Sequence, residues 1–316
     1  MTFHNTSNET IVQSNSQYAA WIMIPVTLTT LTANILLILV YIKFGRLQTP
    51  FAVYIVSLAT GDLAQTLTVH IHSIFTLMSI WPLGQPFCTF ILYTCWVFLS
   101  FSYHMHVLIC TNRVWAVMFP THYRMYHNKK VALCLVLGML LYLNAWTLPG
   151  FVIHVLYYSG SDGSPLCIPS YPHELAWSNP NYVAMYLVPE ALVLVMYPVI
   201  LFKIRGKIKF RMNILPSLRS SQHNTSGSLN TGNDKKHHSS APRPHFAMLT
   251  ALVMVAVMCW TPINTAYVLV YFQGILLYSL MTPCTVVFFL DALLNPMIFL
   301  IASREWRDAL KKLFHC

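Results

Sequence analysis

The sequence predicts an all-α membrane protein, a seven-transmembrane helix bundle with a short amphipathic helix at its C-terminal end. Two observations lead to this prediction. First, 56% of the residues are apolar and only 9% are charged, a balance typical of membrane proteins. Second, Lys and Arg are confined to four clusters that lie between long apolar runs. The net charge of +10 therefore belongs to the loops, and no nucleic acid is expected as a partner.

Seven apolar segments are each long enough to cross a bilayer, which takes about 20 helical residues. All four basic clusters lie at the same side of these segments, and basic residues accumulate on the cytoplasmic side of membrane proteins. We therefore expect a multi-pass protein of the plasma membrane with its N-terminus outside and its C-terminus cytoplasmic. The seven predicted spans are Tyr18 to Tyr41, Phe51 to Ser79, Pro86 to Met118, Val131 to Tyr157, Tyr182 to Phe202, Phe246 to Phe272, and Ile275 to Ala302.

The segments outside the spans complete the predicted domain organisation. Residues 1–17 are polar and predict an extracellular N-terminal tail, and residues 18–302 form the transmembrane domain. Within that domain, residues from about 212 to 243 become rich in Ser, Asn, Gly, Thr and His, which predicts a disordered cytoplasmic loop. Residues 303–316 predict an amphipathic helix on the inner membrane surface, followed by the cytoplasmic C-terminus.

The predicted topology indicates covalent modifications on both sides of the membrane. Cys88 and Cys167 are the two cysteines expected on the oxidising side, where a disulfide would hold a loop over the mouth of the bundle. Asn5 and Asn8 lie in N-glycosylation sequons on that same side. Cys316 follows basic residues on the opposite side, which indicates palmitoylation.

Polar and helix-breaking residues inside the spans indicate where function is expected. Asn34 in the first span needs partners within the bundle, because an amide is costly in hydrocarbon. Asp62 in the second span is a carboxylate within the membrane, which is by default a functional-site hypothesis. Pro262 in the sixth span lacks an N–H, so we expect a kink that frees the carbonyl of Met258.

These residues, in this order, resemble the hallmarks of the rhodopsin-like (class A) G-protein-coupled receptors. The resemblance covers nearly the whole chain and implies a receptor that binds an extracellular ligand and activates a heterotrimeric G protein, with arrestin as a further partner. No enzyme is expected, because the spans hold no zinc-protease motif and no nucleophile with a recognisable base. The hallmark residues are Asn34, Leu58-Ala59 with Asp62, Cys88, Arg113, Trp146, Pro189 with Tyr197, Cys259-Trp260-Thr261-Pro262, and Asn295-Pro296.

The resemblance also implies three sets of site residues. The ligand pocket would be lined by Cys95, Trp96, Leu99, Tyr186, Trp260, Asn264, Tyr267, Thr285 and Phe289. Activation and G-protein contact would involve Asn112, Arg113, Tyr197, Pro262, Asn295, Pro296 and Phe299. A sodium ion, as an allosteric modulator and not a required cofactor, would be held by Asp62, Ser102 and Asn295, and Asp291 would add a second carboxylate where the family usually has an amide. Two nearby carboxylates in a low dielectric recruit a cation or share a proton, so a proton is the alternative occupant.

Two positions depart from the family pattern and affect the expected signalling. Asn112 precedes Arg113 where the family usually has aspartate, so we expect the arginine to be less restrained and basal signalling to be raised. Phe299 replaces the usual tyrosine, which removes a hydroxyl partner of Tyr197 and Arg113. That loss leaves open a receptor-like partner that signals poorly.

The ligand is limited mainly by exclusions. Cys95 stands where amine receptors carry their aspartate, and Phe289 stands where opsins carry the lysine that binds retinal. The remaining aromatic, neutral pocket favours a small, largely uncharged ligand. A basic peptide is the alternative, because Asp162, Glu174 and Glu190 supply negative charge.

An ion transporter or channel is the rival class of function. Asp62 and Asp291 could line an ion path through the membrane. A conduit does not require Arg113, Trp260 with Pro262, or Asn295-Pro296, so this set of residues favours the receptor.

Overall fold

The computed structural model describes residues 6–157, 167, 175–223, 243–273 and 278–314. Among these residues, seven helices are long and apolar enough to cross a membrane, which confirms the predicted seven-span fold. The spans are formed by Thr6–Lys43, Pro50–Leu77, Gly84–Met118, Lys129–Tyr157, Val188–His223 with the turns that precede it, Arg243–Gln273 and Tyr278–Ala302. Short helices cover Gly45–Leu47, Pro120–Tyr126 and Arg304–Phe314.

Two spans contain a π-helical turn that the sequence did not predict. The second span is α-helical over Pro50–Gln65 and Ile71–Leu77, with the π turn Thr66–His70 between them. The fifth span begins with Leu175–Tyr182 and the π turn Val183–Leu187. A single wider turn does not change how apolar the segment is, so mean hydropathy does not reveal it. Such turns occur frequently at functional sites.

The third span, Gly84–Met118, lies at the centre of the bundle. It packs against the second, fourth and fifth spans. The Tyr103 ring stacks on Trp260 of the sixth span at 4.0 Å between ring centroids and lies 6.2 Å from the Phe288 ring of the seventh. A Cβ atom added to Gly61 would lie 2.4 Å from the ring of Phe101, so glycine is what permits the second and third spans to approach this closely.

The two ends of the third span carry different chemistry. Cys88 near its first turn is bonded to Cys167, which confirms the predicted disulfide, and His72 Nε2 donates to the Cys167 carbonyl at 2.7 Å. Arg113 lies near the last turn. We call these two ends of the bundle the disulfide end and the arginine end.

The helices extend further than the apolar runs at two places. The first helix begins at Thr6, where the sequence predicted a tail to residue 17, and the fifth continues to His223, where it predicted a loop from about residue 212. Each further helical residue adds one hydrogen bond, so a helix can extend beyond the end of its apolar segment. Residues 224–242 lie outside the described residues.

The C-terminal helix Arg304–Phe314 is present as predicted. Its Trp306 is buried, and the helix packs against the first and seventh spans. The predicted modification sites Asn5 and Cys316 lie outside the described residues, as do Asp162, Glu174 and the side chain of Asn8.

Candidate functional site

Six of the nine predicted ligand residues belong to one buried aromatic and aliphatic cluster, which we call the pocket cluster. Trp260 at its centre is fully buried, and His70 from the π turn of the second span joins it through Phe289, with ring centroids 4.3 Å apart. The π turn therefore contributes a residue to the same region. The six predicted residues are Cys95, Leu99, Tyr186, Trp260, Tyr267 and Phe289.

Asn264 is buried beside this cluster, and both ends of its amide are already engaged. Its Nδ2 donates to Glu190 Oε2 at 2.6 Å. Its Oδ1 accepts hydrogen bonds from Tyr182 at 3.0 Å and from Tyr103 at 3.3 Å. Glu190 Oε1 also accepts from the Thr261 hydroxyl at 2.8 Å. This chain of bonds, which we call the Asn264 network, links the third, fifth and sixth spans.

The Asn264 network contains residues that sequence analysis missed or assigned differently. Tyr103 follows Leu99 by four residues and Tyr182 precedes Tyr186 by four, and residues four apart share a helix face. That spacing was the available signal. Glu190 was considered only as an attraction for a basic peptide, but it is buried with neutral hydrogen-bond donors on both carboxylate oxygens.

The two remaining predicted ligand residues have their observed contacts elsewhere. The Trp96 ring packs edge-on against Phe151 of the fourth span at 5.8 Å. The Thr285 hydroxyl donates to the Met281 carbonyl of its own helix at 2.8 Å. The part of both residues in ligand binding stays a prediction.

The four predicted sodium ligands lie together in mid-bundle, and we call them the carboxylate layer. Asn295 Nδ2 donates to Asp62 Oδ2 at 3.0 Å and lies 3.4 Å from Asp291 Oδ2. Ser102 of the third span faces Asp62. All four side chains are at most 3% exposed, so the layer is closed off from solvent.

The carboxylate layer holds more acceptors than donors. By distance and angle, the Oδ1 atoms of Asp62, Asp291 and Asn295 accept no hydrogen bond from the part of the chain that the structure describes, and two donors near the carboxylates, the Ser102 hydroxyl and Trp260 Nε1, are also unbonded. Residues 47–112, 131–202 and 244–303 contain no Lys or Arg. Because a buried carboxylate without compensation is costly, these oxygens fit a hard cation or one or more protons.

His106 connects the carboxylate layer to the pocket cluster. It is fully buried, and its Nδ1 donates to the Ser102 carbonyl at 2.9 Å. The imidazole ring meets Trp260 edge-on at 4.7 Å. His106 therefore contacts both regions, so a rearrangement of either one also affects its side chain.

The arginine end contains a second polar group of residues, which we call the Asn112 cluster: Phe51, Tyr54, Asn112, Arg113, Tyr123 and His127. Tyr123 donates to Asn112 Oδ1 at 3.2 Å, and Asn112 Nδ2 lies 2.9 Å from His127 Nε2. The guanidinium carbon of Arg113 lies 3.3 Å from the centroid of the Phe51 ring, which is cation–π geometry. The arginine thus has an aromatic contact that sequence analysis did not predict.

The other predicted activation residues occupy the core beside these groups. Phe299 and Pro296 are buried, and Tyr197 is half-buried against the same apolar core as Phe299. Pro262 lies within the continuous helix Arg243–Gln273. The roles of these residues in activation stay predictions.

Comparison with known proteins agrees with this arrangement. The family model described as 7 transmembrane receptor (rhodopsin family) matches residues 33–299. The chain therefore belongs to the rhodopsin family of seven-transmembrane receptors.

The relatives in this family are distant. The human neuropeptides B/W receptor type 2 is 23% identical over 90% of this chain and 82% of that receptor. The human thyrotropin-releasing hormone receptor is 22% identical over 90% of this chain and 75% of that receptor. The histamine H1 receptor of Pongo pygmaeus is 30% identical, but over only 39% of this chain and 26% of its own length. The three names imply different ligand classes, so similarity alone does not select one.

Proposed function

We propose that this protein is a cell-surface receptor that binds an extracellular ligand near the disulfide end and activates a heterotrimeric G protein at the arginine end. The observation on which this rests is the continuous third helix, which carries the Cys88 disulfide, the Tyr103 ring stacked on Trp260, and Arg113. A ligand with different affinities for two packings around Trp260 shifts their populations. The same helix connects that change to Arg113.

The proposed orientation places the arginine end in the cytoplasm of a plasma-membrane protein. Its support is the distribution of charge, because every Lys and Arg lies in a segment next to the arginine end of a span. In this orientation the G protein, and arrestin as a further partner, meet Arg113, while the disulfide and the chain segment that contains Asn8 lie on the extracellular side.

We propose a small, largely uncharged ligand. Its support is the pocket cluster, which is aromatic and aliphatic, and Cys95, which offers a cationic amine no carboxylate. The buried carboxylate of Glu190, beside this cluster, is already bonded to Thr261 and Asn264. A peptide is the second candidate, because two of the relatives that align over 90% of this chain are named for neuropeptides and for a releasing hormone.

We also propose that the carboxylate layer binds sodium in the resting receptor, with a shared proton as the alternative occupant. The support is the surplus of acceptors on Asp62, Asp291 and Asn295, together with the absence of Lys and Arg from residues 47–112 and 244–303, which supply these side chains. A cation there would add attraction between the second, third and seventh spans, and so favour the arrangement in which they lie close together.

The experiment that tests the receptor function is a coupling assay across the G-protein classes in cells that express the full chain. Basal activity is measured first, and then activity with separate sets of uncharged small molecules, amines including histamine, and peptides including thyrotropin-releasing hormone. Arg113→Ala is the control and should abolish the response. If no class responds while the purified protein carries ions across proteoliposomes, a transporter replaces the receptor.

A further inference from the structure

The residue of interest is His127, which follows the short helix Pro120–Tyr126 at the arginine end. It is 9% exposed, and two tyrosine rings lie nearly parallel to its ring. The centroid distances are 4.4 Å to Tyr123 and 5.8 Å to Tyr54. Trp115 closes a third side edge-on at 5.7 Å. The ring is held on these sides, so its nitrogen atoms have defined positions.

Two side chains of the Asn112 cluster contact the Nε2 atom of His127. Asn112 Nδ2 lies 2.9 Å from it and the Tyr54 hydroxyl 3.2 Å from it. With Tyr123 donating to Asn112 Oδ1, the Asn112 amide presents its NH₂ group to the histidine. An NH₂ group only donates, so Nε2 accepts and the ring proton is on Nδ1. This arrangement requires a neutral imidazole.

The charges around His127 favour the neutral form. The sequence has no Asp or Glu between Asp62 and Asp162. Arg113 of the third span is the charged neighbour, Tyr54 and Tyr123 are the titratable ones, and Lys129 and Lys130 at the start of the fourth span are exposed. Burial, followed by the charge of Arg113, lowers the pKa of His127 below its usual value.

We propose that His127 is a positioning residue for G-protein coupling: as a neutral acceptor it holds Asn112, the residue directly before Arg113 in the third span, and so keeps this end of the helix in the resting arrangement. The proposal rests on the receptor function proposed above. In this receptor an imidazole nitrogen and an aromatic ring, Phe51, do what a carboxylate beside the arginine would otherwise do. Protonation of Nε2 replaces the acceptor by a donor that faces the NH₂ group of Asn112, and it adds a positive charge beside Arg113.

The sign of the pH dependence follows from linkage. In the resting arrangement the pKa of His127 is lowered, whereas a released, solvated His127 titrates at about 6.5. The released arrangement therefore binds the proton more tightly, and it gains population as the pH falls below about 6.5. At neutral pH the resting arrangement is held.

The test uses the purified full chain in lipid nanodiscs and measures basal nucleotide exchange at pH 7.5 and pH 6.0, with the G protein that the coupling assay selects. His127→Phe keeps the aromatic ring but removes the acceptor. One hydrogen bond is worth about 1 kcal/mol, or about five-fold in an equilibrium constant. At pH 7.5 we expect basal exchange in His127→Phe to exceed that of the wild type by about five-fold. The rise that the wild type shows between pH 7.5 and pH 6.0 should be absent in this variant.

Three variants separate positioning from general stability. His127→Gln supplies a neutral carbonyl acceptor and should keep exchange low at both pH values. In Asn112→Asp, basal exchange should fall between pH 7.5 and pH 6.0, the reverse of the wild type, because a carboxylate attracts the protonated imidazole. His122→Phe is the matched control: His122 is an exposed histidine on the same short helix, bonded to Trp115, and its loss should leave the wild-type pH response. Unchanged exchange in His127→Phe overturns the proposal.

Histidine ¹⁵N NMR of the same protein provides a readout that needs no G protein. We expect the signal of His127, assigned by its loss in His127→Phe, to show the Nδ1–H tautomer and to titrate below pH 6.5. An Nε2–H tautomer, or titration at the pH of an exposed histidine, overturns the proposal even if coupling is observed. If no G protein responds but the NMR result is as expected, the receptor function fails while the structural role of His127 is retained.

Discussion

The carboxylate layer and the Asn112 cluster solve the same problem, a polar group inside an apolar bundle, in opposite ways. In the carboxylate layer, Asp62 and Asp291 share one amide donor, and three oxygen atoms accept nothing from the described residues. In the Asn112 cluster, both ends of the Asn112 amide are bonded and Arg113 rests on a ring. The first region leaves three acceptors without a donor, whereas the second leaves one donor, the buried Nε–H of Arg113, without an acceptor among the described residues.

The largest effect on the difference between the two regions is expected when a carboxylate of the carboxylate layer is removed. In Asp62→Asn we expect the sodium response to disappear. For the wild type, each tenfold rise in sodium above the dissociation constant should raise the free energy of unfolding by about 1.4 kcal/mol. The measurement is thermal unfolding of purified receptor in sodium against N-methylglucamine at constant ionic strength.

Glu190→Gln is the matched control for that experiment. It also removes a buried carboxylate, but one whose two oxygens already accept hydrogen bonds, so its sodium response should remain. Equal stabilisation of Asp62→Asn and the wild type by sodium would mean that the layer is not the binding site. No response in the wild type would favour the shared proton.

A smaller effect is expected when Arg113 loses its aromatic support. Phe51→Leu keeps an apolar side chain but removes the ring that lies 3.3 Å from the guanidinium carbon. Phe51 and Arg113 are both half-buried, so the cation–π contact is worth about 1 to 2 kcal/mol, between its exposed and desolvated values, and basal signalling should rise. Phe51→Tyr keeps a ring and should signal like the wild type. If Phe51→Leu and Phe51→Tyr give the same basal activity, the contact does not restrain the arginine.

Asn112→Asp should act in the opposite direction and more weakly. A carboxylate beside Arg113 adds a charge-assisted interaction, which is roughly twice as strong as a neutral hydrogen bond, so the gain is about 1 kcal/mol. Basal coupling in cells at neutral pH should fall. Unchanged basal activity would show that the neutral cluster already restrains Arg113 fully, and would reject the raised basal signalling inferred from the sequence.

The contrast also separates what sequence analysis could predict from what it could not. Apolar runs and basic clusters are local patterns, so the spans, the C-terminal helix and the Cys88–Cys167 bridge were predictable. Asp62 and Asn295 were found through the resemblance. The contact of His127 with Asn112 depends on how the chain turns after Tyr126, and no periodicity encodes that turn. Likewise, only the packed structure shows that Glu190 and the tyrosines occupy the amide of Asn264.

The smallest expected effect comes from Tyr54, which sharpens the description of the Asn112 cluster. Its hydroxyl shares Nε2 of His127 with Asn112, at 3.2 Å against 2.9 Å, and lies 3.4 Å from Asn112 Nδ2. Tyr54→Phe removes the longer of the two contacts to Nε2 and leaves the shorter. The resting arrangement should therefore be destabilised by no more than about 0.5 kcal/mol, the low end for a hydrogen bond, and basal coupling should rise only slightly. Tyr123→Phe, which removes the donor to Asn112 Oδ1, is the comparison and should have the larger effect. If Tyr54→Phe raises coupling more than Tyr123→Phe, the Tyr54 hydroxyl is the main donor to Nε2, and the bond from Tyr123 to Asn112 contributes less to the resting arrangement.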